Sequence, residues 1–309
     1  MAGIGVIINP NSRMNRRYPE RIQKLGYILG DRGSCELTKN VDDIYRVAEG
    51  FKAQGIEILA LSGGDGTNHV TLTKFFEVYG DTPIPKIALL RGGTMNTIAN
   101  GVGVKGDSFS LLSNLVEKYH RGEQFETTQR DILNVNGNYG FIFGNGLIHS
   151  FLTEYYATNK PSPLRALTTL SRGTISALWG GEMAQRIFRK FKGEVIIDGK
   201  KAPYEEYSAV IAATVEQVGL GFAPFYRCEE QPGTFHIYLI LCSAAEFAMQ
   251  LPKFYAGKPP RADLAPEFVA KEVVFSSRTP LLYQIDGDTY KGPKTFTMTC
   301  GPRLTFIVR

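Results

Sequence analysis

The chain has 309 residues, 43% of them hydrophobic, and 35 basic against 30 acidic side chains leave a net charge of +5. That length suits two domains, each able to bury its own core without staples, and the mild basic surplus is compatible with anionic small ligands or a membrane surface. Four scattered cysteines without a CxxC pair and four histidines without metal-site spacing exclude a disulfide scaffold and a zinc site.

The N-terminus lacks the basic n-region and small-residue cleavage site of a signal peptide, and Ile4–Asn9 reads as a first strand. Further strands are expected at Ser34–Leu37, Glu57–Leu61 and Lys86–Arg91. Between and after them, helices are expected from Pro19 to Asp31, Asp42 to Gln54, Thr67 to Tyr79 and Ser108 to His120, each with apolar residues three and four apart. Strands alternating with amphipathic helices imply a parallel sheet covered on both faces.

Near Gln124 the pattern changes to strands punctuated by Asn-Gly and Asp-Gly turns. Strands are expected at Ile132–Val135, Tyr139–Phe143, Glu194–Ile197, Ser208–Ala213, Phe235–Leu241, Lys271–Phe275, Leu281–Ile285, Thr295–Cys300 and Leu304–Val308. This predicts an α/β domain over 1–123 and a mainly antiparallel β-sandwich over 124–309. A helical insertion over about 160–192 interleaves Trp179, Phe188 and Phe191 with Arg165, Arg172, Arg186, Arg189, Lys190 and Lys192. Such a segment either lies at a membrane interface or packs on the β domain with a solvated basic face. The apolar stretch Ile237–Met249, interrupted by Ser243 and Glu246, falls short of the roughly 20 residues needed to cross a bilayer. A soluble, cytoplasmic protein is expected, its membrane contact peripheral.

Ser62-Gly63-Gly64-Asp65-Gly66-Thr67-Asn68 follows a buried strand and opens a helix. Ligands of open α/β sheets bind beyond the carboxyl ends of strands. Glycines there admit a polyphosphate, the helix N-terminus directs its amides at it, and Asp65 can act through Mg²⁺. Leu90-Arg91-Gly92-Gly93-Thr94-Met95-Asn96 is a second glycine-rich turn at a strand end, and Asn9-Pro10-Asn11-Ser12 ends the first strand with Arg13, Arg16 and Arg17 behind it. Far along the chain, Ile285-Asp286-Gly287-Asp288 offers two carboxylates at a tight turn, which suit proton abstraction from an acceptor hydroxyl.

In order along nearly the whole chain, these four motifs resemble the diacylglycerol kinase catalytic family, which includes bacterial diacylglycerol-type, sphingosine and ceramide kinases. The resemblance implies an ATP- and Mg²⁺-dependent kinase of a diacylglycerol-like or sphingoid-like lipid, with its active site in the cleft between an α/β domain and a β-sandwich. It implies a lipid substrate and peripheral membrane contact, no nucleic-acid partner, and nothing about oligomeric state. By position, Asn9, Pro10, Asn11, Ser12, Arg13 and Thr38 would line the nucleotide. Gly63, Gly64, Asp65, Gly66, Thr67, Asn68 and His69 would hold phosphates, with Gly93, Thr94 and Asn96 beside them, and Asp65 would act through the metal. Asp288 stands where the family usually carries a glutamate proton acceptor, with Asp286 the other candidate base. Arg91 replaces a usual proline, and the stretch Arg227–Thr234 lacks the Asp-Asp-Gly with which bacterial members bind a structural Mg²⁺. An NAD kinase shares the glycine-Asp-Gly-Thr turn but carries an Asn-Glu pair that this sequence lacks. A weakly catalytic lipid or nucleotide sensor is the other alternative.

Overall fold

The computed structural model describes residues 3–156, 176 and 188–308. The chain forms two compact units, residues 1–130 with 303–309, and residues 131–302.

In the first unit the strands β1 (Ile4–Ile8), β2 (Gly33–Leu37), β3 (Ile58–Ser62) and β4 (Lys86–Leu89) lie parallel in the order β4-β3-β1-β2. Ile8 is level with both Leu37 and Ser62, and Leu61 with Leu89, so the four carboxyl ends line up. The helices are α1 (Arg13–Arg17), α2 (Glu20–Leu29), α3 (Val41–Gln54), α4 (Asp65–Tyr79), α5 (Thr97–Gly101) and α6 (Ser108–Arg121). Their ends follow local chemistry. Asn40 and Asp43 form a reciprocal capping box at the start of α3, and Gly55 closes it at φ 65°. Asp107 caps α6 by accepting from the Phe109 and Ser110 N–H groups. One sheet face buries Ile4, Val6, Ile8, Ile58 and Ala60 beneath Leu25 and Leu29 of α2 and Leu112 and Leu115 of α6. On the other face Phe51 of α3 lies where a Gly5 Cβ would stand, 2.4 Å from its ring, and meets Phe75 of α4 at 6.4 Å.

The second unit is antiparallel. After β5 (Thr127–Val135), β6 (Asn138–Gly140) and β7 (Ile142–Asn145) comes α7 (Leu147–Tyr156). Then follow β8 (Phe191–Ile197), β9 (Lys200–Lys201), β10 (Glu206–Tyr207), β11 (Ala209–Ala213), β12 (Phe235–Ile240) and α8 (Ala244–Tyr255). The last strands are β13 (Glu267–Ala270), β14 (Glu272–Ser277), β15 (Leu282–Ile285), β16 (Asp288–Lys291) and β17 (Thr295–Ile307). One layer runs β10-β8-β14-β17, with β5, β6 and β9 alongside; the other runs β13-β12-β11-β7-β15-β16. Val195, Val273, Phe275, Phe296 and Met298 of the first layer meet Phe143, Val210, Ile237, Tyr283 and Ile285 of the second in one core. The turns Asn136-Gly137, Asp198-Gly199 and Asp286-Gly287 all take two positive φ angles, as tight hairpins require.

The α/β unit and the antiparallel unit have the expected character, with local differences. Tyr139–Phe143 is broken at Phe141, and its halves join different layers. The expected strands Thr295–Cys300 and Leu304–Val308 are one strand, β17, which pairs β14 antiparallel over Thr295–Thr299, while Phe306 and Ile307 pair in parallel with Ile87 and Ala88. Pro302 brings no N–H to either ladder. The apolar stretch Ile237–Met249 divides between the end of β12 and the start of α8, which is held by a Ser243–Glu246 capping box. The expected helical insertion lies mostly outside the described residues, and Phe191 and Lys192 at its end already belong to β8.

Candidate active site

The first unit gathers most of the expected residues at the carboxyl ends of its strands. The Asn9 N–H donates to Ser62 O at 3.1 Å, and its side chain donates to Thr67 Oγ1 at 2.9 Å, tying the end of β1 to the first turn of α4. Pro10 and the exposed Asn11 continue this turn, and the Asn11 N–H returns to Asn9 Oδ1 at 2.9 Å. Ser12 is buried, caps nothing and has no partner for its Oγ; Arg13 opens α1. Thr38 is buried just past β2, and its N–H reaches Ile8 O at 3.1 Å.

The two glycine turns pack backbone against backbone. A Cβ on Gly93 would lie 2.4 Å from Gly64 Cα, and one on Gly92 would lie 2.9 Å from Gly63 N. No residue with a side chain fits at such an approach. Helix α4 begins at Asp65, so its first amides have no carbonyl a turn back to donate to within the helix. Asn68 and His69 are buried in that helix, and Asn68 Oδ1 has no partner. Asn96, at φ 50°, accepts the Gly93 N–H at 3.0 Å and fixes the second turn around Thr94.

Asp65 bridges the turns. Its two carboxylate oxygens accept the Thr97 and Ile98 N–H groups at 3.0 Å each, seating the start of α5. Burial pushes the Asp65 carboxyl above the usual carboxylate range, while those N–H groups oppose the shift. Both oxygens are thus already engaged with protein donors. Among the described residues no group of three His, Cys, Asp or Glu side chains could hold a metal ion.

The second unit separates the two terminal aspartates. Asp286 is buried; its Oδ1 takes the Ile142 N–H at 2.8 Å, and both its oxygens lie 3.1 Å from the Phe141 N. It therefore holds the break between β6 and β7. Asp288 opens β16 and is half-buried, and burial raises its carboxyl above the usual value. It sits two residues from Tyr290, on the same side of the strand, and its charge helps burial raise the Tyr290 hydroxyl.

The stretch Arg227–Thr234 does not fit a second metal. Arg227 pairs with Glu230 through Nε at 2.6 Å and lies 3.5 Å from Glu267 Oε1, which also takes the Tyr226 hydroxyl proton at 2.5 Å. The carboxylates already face a built-in cation.

Sequence reasoning missed Asn15 and the role of Arg91. Asn15 is 1% exposed, and its Nδ2 donates to Asn9 O and Ser62 O at 2.9 and 3.2 Å, joining the ends of β1 and β3. Its basic neighbours made it look like surface. Arg91 stands at φ 50°, which proline cannot adopt, and its guanidinium donates to Val104 O at 2.6 Å and Asn100 Oδ1 at 2.7 Å.

Glycine turns stacked at one edge of a parallel sheet, with an antiparallel sandwich following in the chain, define a protein of an α/β unit and an antiparallel β unit. Residues 3–124 match the diacylglycerol kinase catalytic domain family. A crystal structure of a diacylglycerol kinase from Bacillus anthracis str. Sterne superposes with a TM-score of 0.66 at 16% identity, covering 99% of this chain and 97% of that one. Two more structures from that organism, provisionally assigned as diacylglycerol kinases, give TM-scores of 0.70 and 0.67 at 17% identity; each covers 99% of this chain and 96% and 98% of its own. No curated protein sequence matches the chain.

Proposed function

We propose that the protein is an ATP-dependent lipid kinase that phosphorylates a hydroxyl of a diacylglycerol-like lipid, with ceramide and sphingoid bases as the other candidate acceptors. The observation that carries this reading is the pair of glycine turns stacked Cα to Cα at the N-terminus of α4. Backbone donors at a helix N-terminus suit phosphate oxygens, and the unpartnered Ser12 Oγ is a further donor at the same edge. Asn9, Pro10, Asn11, Arg13 and Thr38 would line the nucleotide, while Gly63–His69, Gly93, Thr94 and Asn96 would hold its phosphates. Bound Mg²⁺ would neutralise charge on the phosphates as the phosphoryl group is transferred.

Asp65 acts here as a positioning residue, keeping the two turns in register. Asp288 takes the proton of the lipid hydroxyl, and burial, by raising its carboxyl above the usual value, makes it a stronger base than an exposed aspartate. Asp286 supports the local backbone rather than reacting. The protein would work in the cytoplasm, touching the inner face of the membrane peripherally. Among the described residues no helix is long and apolar enough to cross a membrane.

The test is incubation with γ-labelled ATP, Mg²⁺ and detergent micelles of diacylglycerol, ceramide or sphingosine, with NAD in parallel. Label in a phosphorylated lipid supports the reading. Label in NADP alone, or nucleotide binding with no labelled product, would overturn it in favour of an NAD kinase or a sensor.

A further inference from the structure

The first unit contains an open crevice of about 170 Å³ on the sheet flank covered by α6. Its apolar wall includes Leu90, Val104, Leu115 and Ile307, its cationic groups are Lys105 and Lys118, and among the described residues no lining side chain is acidic. Lys105 is exposed and Lys118 half-buried. Leu115 and Lys118 lie three apart and so share one face of α6, one contributing to the greasy wall and the other a charge. Its lining exposes polar and apolar surface in similar measure, so a short aliphatic chain would lie along it with one side open to water.

We propose that this crevice binds an aliphatic carboxylate, its tail against Leu115 and Ile307 and its head between Lys105 and Lys118. Charge complementarity selects the sign of the head group, since two cations face the site and no carboxylate opposes them. The site also touches the phosphate-turn machinery. Leu90 immediately precedes Arg91, and the Arg91 guanidinium donates to the carbonyl of Val104. A ligand resting on Leu90 and Val104 thus braces both ends of the clamp that carries Gly92 and Gly93. Binding stands independently of the lipid-kinase reading, because it needs no nucleotide and no turnover.

The test uses octanoate as the probe, with octanol and octyltrimethylammonium as controls, on the whole chain by isothermal titration and amide exchange. Saturable octanoate binding is expected, weakening as salt rises. The Lys105→Glu/Lys118→Glu double variant, altered at one exposed and one half-buried position, should bind octanoate at least tenfold more weakly and octanol unchanged. Octanoate should slow amide exchange in residues 91–104 of the wild type. No saturable binding at millimolar octanoate, or equal binding by the charge-reversed variant, would overturn the site. Binding without protection of residues 91–104 would overturn its link to the turn.

Discussion

Three aspartates that look alike in the sequence occupy three different environments. Asp65 spends both oxygens on backbone N–H groups of α5, so replacing it with asparagine turns one acceptor into a donor facing a donor. Asp65→Asn should cost about 1–3 kcal/mol of stability, measured by urea unfolding, and about 100-fold in turnover through displaced phosphate turns, with the circular dichroism spectrum unchanged. Wild-type turnover in this variant would remove Asp65 from the site. Asp286→Ala leaves the Phe141 and Ile142 N–H groups without their acceptor and should be mainly a stability variant, again by about 1–3 kcal/mol. Asp288 behaves oppositely. Its folded pKa is raised by burial, so the stability tied to its protonated form is present below the unfolded value and lost as pH rises through the folded value. Asp288→Asn should therefore melt higher than wild type at pH 7, with the gap closing at acid pH, while phosphorylation falls at least about 100-fold. The acid limb of the wild-type rate profile should lie above the ordinary aspartate range for the same reason.

At the scale of elements, the glycine turns are the sharpest place to test packing. Gly93→Ala puts a methyl 2.4 Å from Gly64 Cα, where only backbone movement can make room. Turnover should fall steeply with a melting loss worth about 1–3 kcal/mol, and a variant of normal activity would mean that the turns need not touch. Much at this scale was legible. Helices α3 and α6 follow from apolar spacing plus a capping Asn or Asp and a closing Gly, all within one local window. The strand-end turns followed from glycines next to buried runs. What stayed hidden depends on partners distant in sequence. The break at Phe141 is held by a carboxylate 145 positions away, and the seat of α5 by one 33 positions away. Helix α8 was hidden differently: Ser243-x-x-Glu246 is a readable capping box, but an apolar strand runs straight into it and Pro252 lies inside it. The proposed proton acceptor could be narrowed only to Asp286 or Asp288, because the sequence does not say which carboxylate turns inward onto backbone.

At the scale of the whole molecule, the two units do not divide the chain at a single point. The first takes back residues 303–309 after the second has been completed. Leu304, Phe306 and Ile307 are all buried there, and each such side chain is worth about 1.5–3 kcal/mol. Deleting residues 303–309 should destabilise the first unit by several kcal/mol, seen as an early loss of protection in β4 by amide exchange, with β11 and β12 protected as before. Equal protection in β4 would show that the last strand adds nothing. This topology also sets an order for biosynthesis. The ribosome delivers β1 to β4 well before β17, so their sheet lacks its outer neighbour until that strand emerges, on the order of ten seconds or more later at about 5–20 residues per second. Strand β4 is thus made well before its outer neighbour, and in the nascent chain its flank waits open for a strand not yet translated.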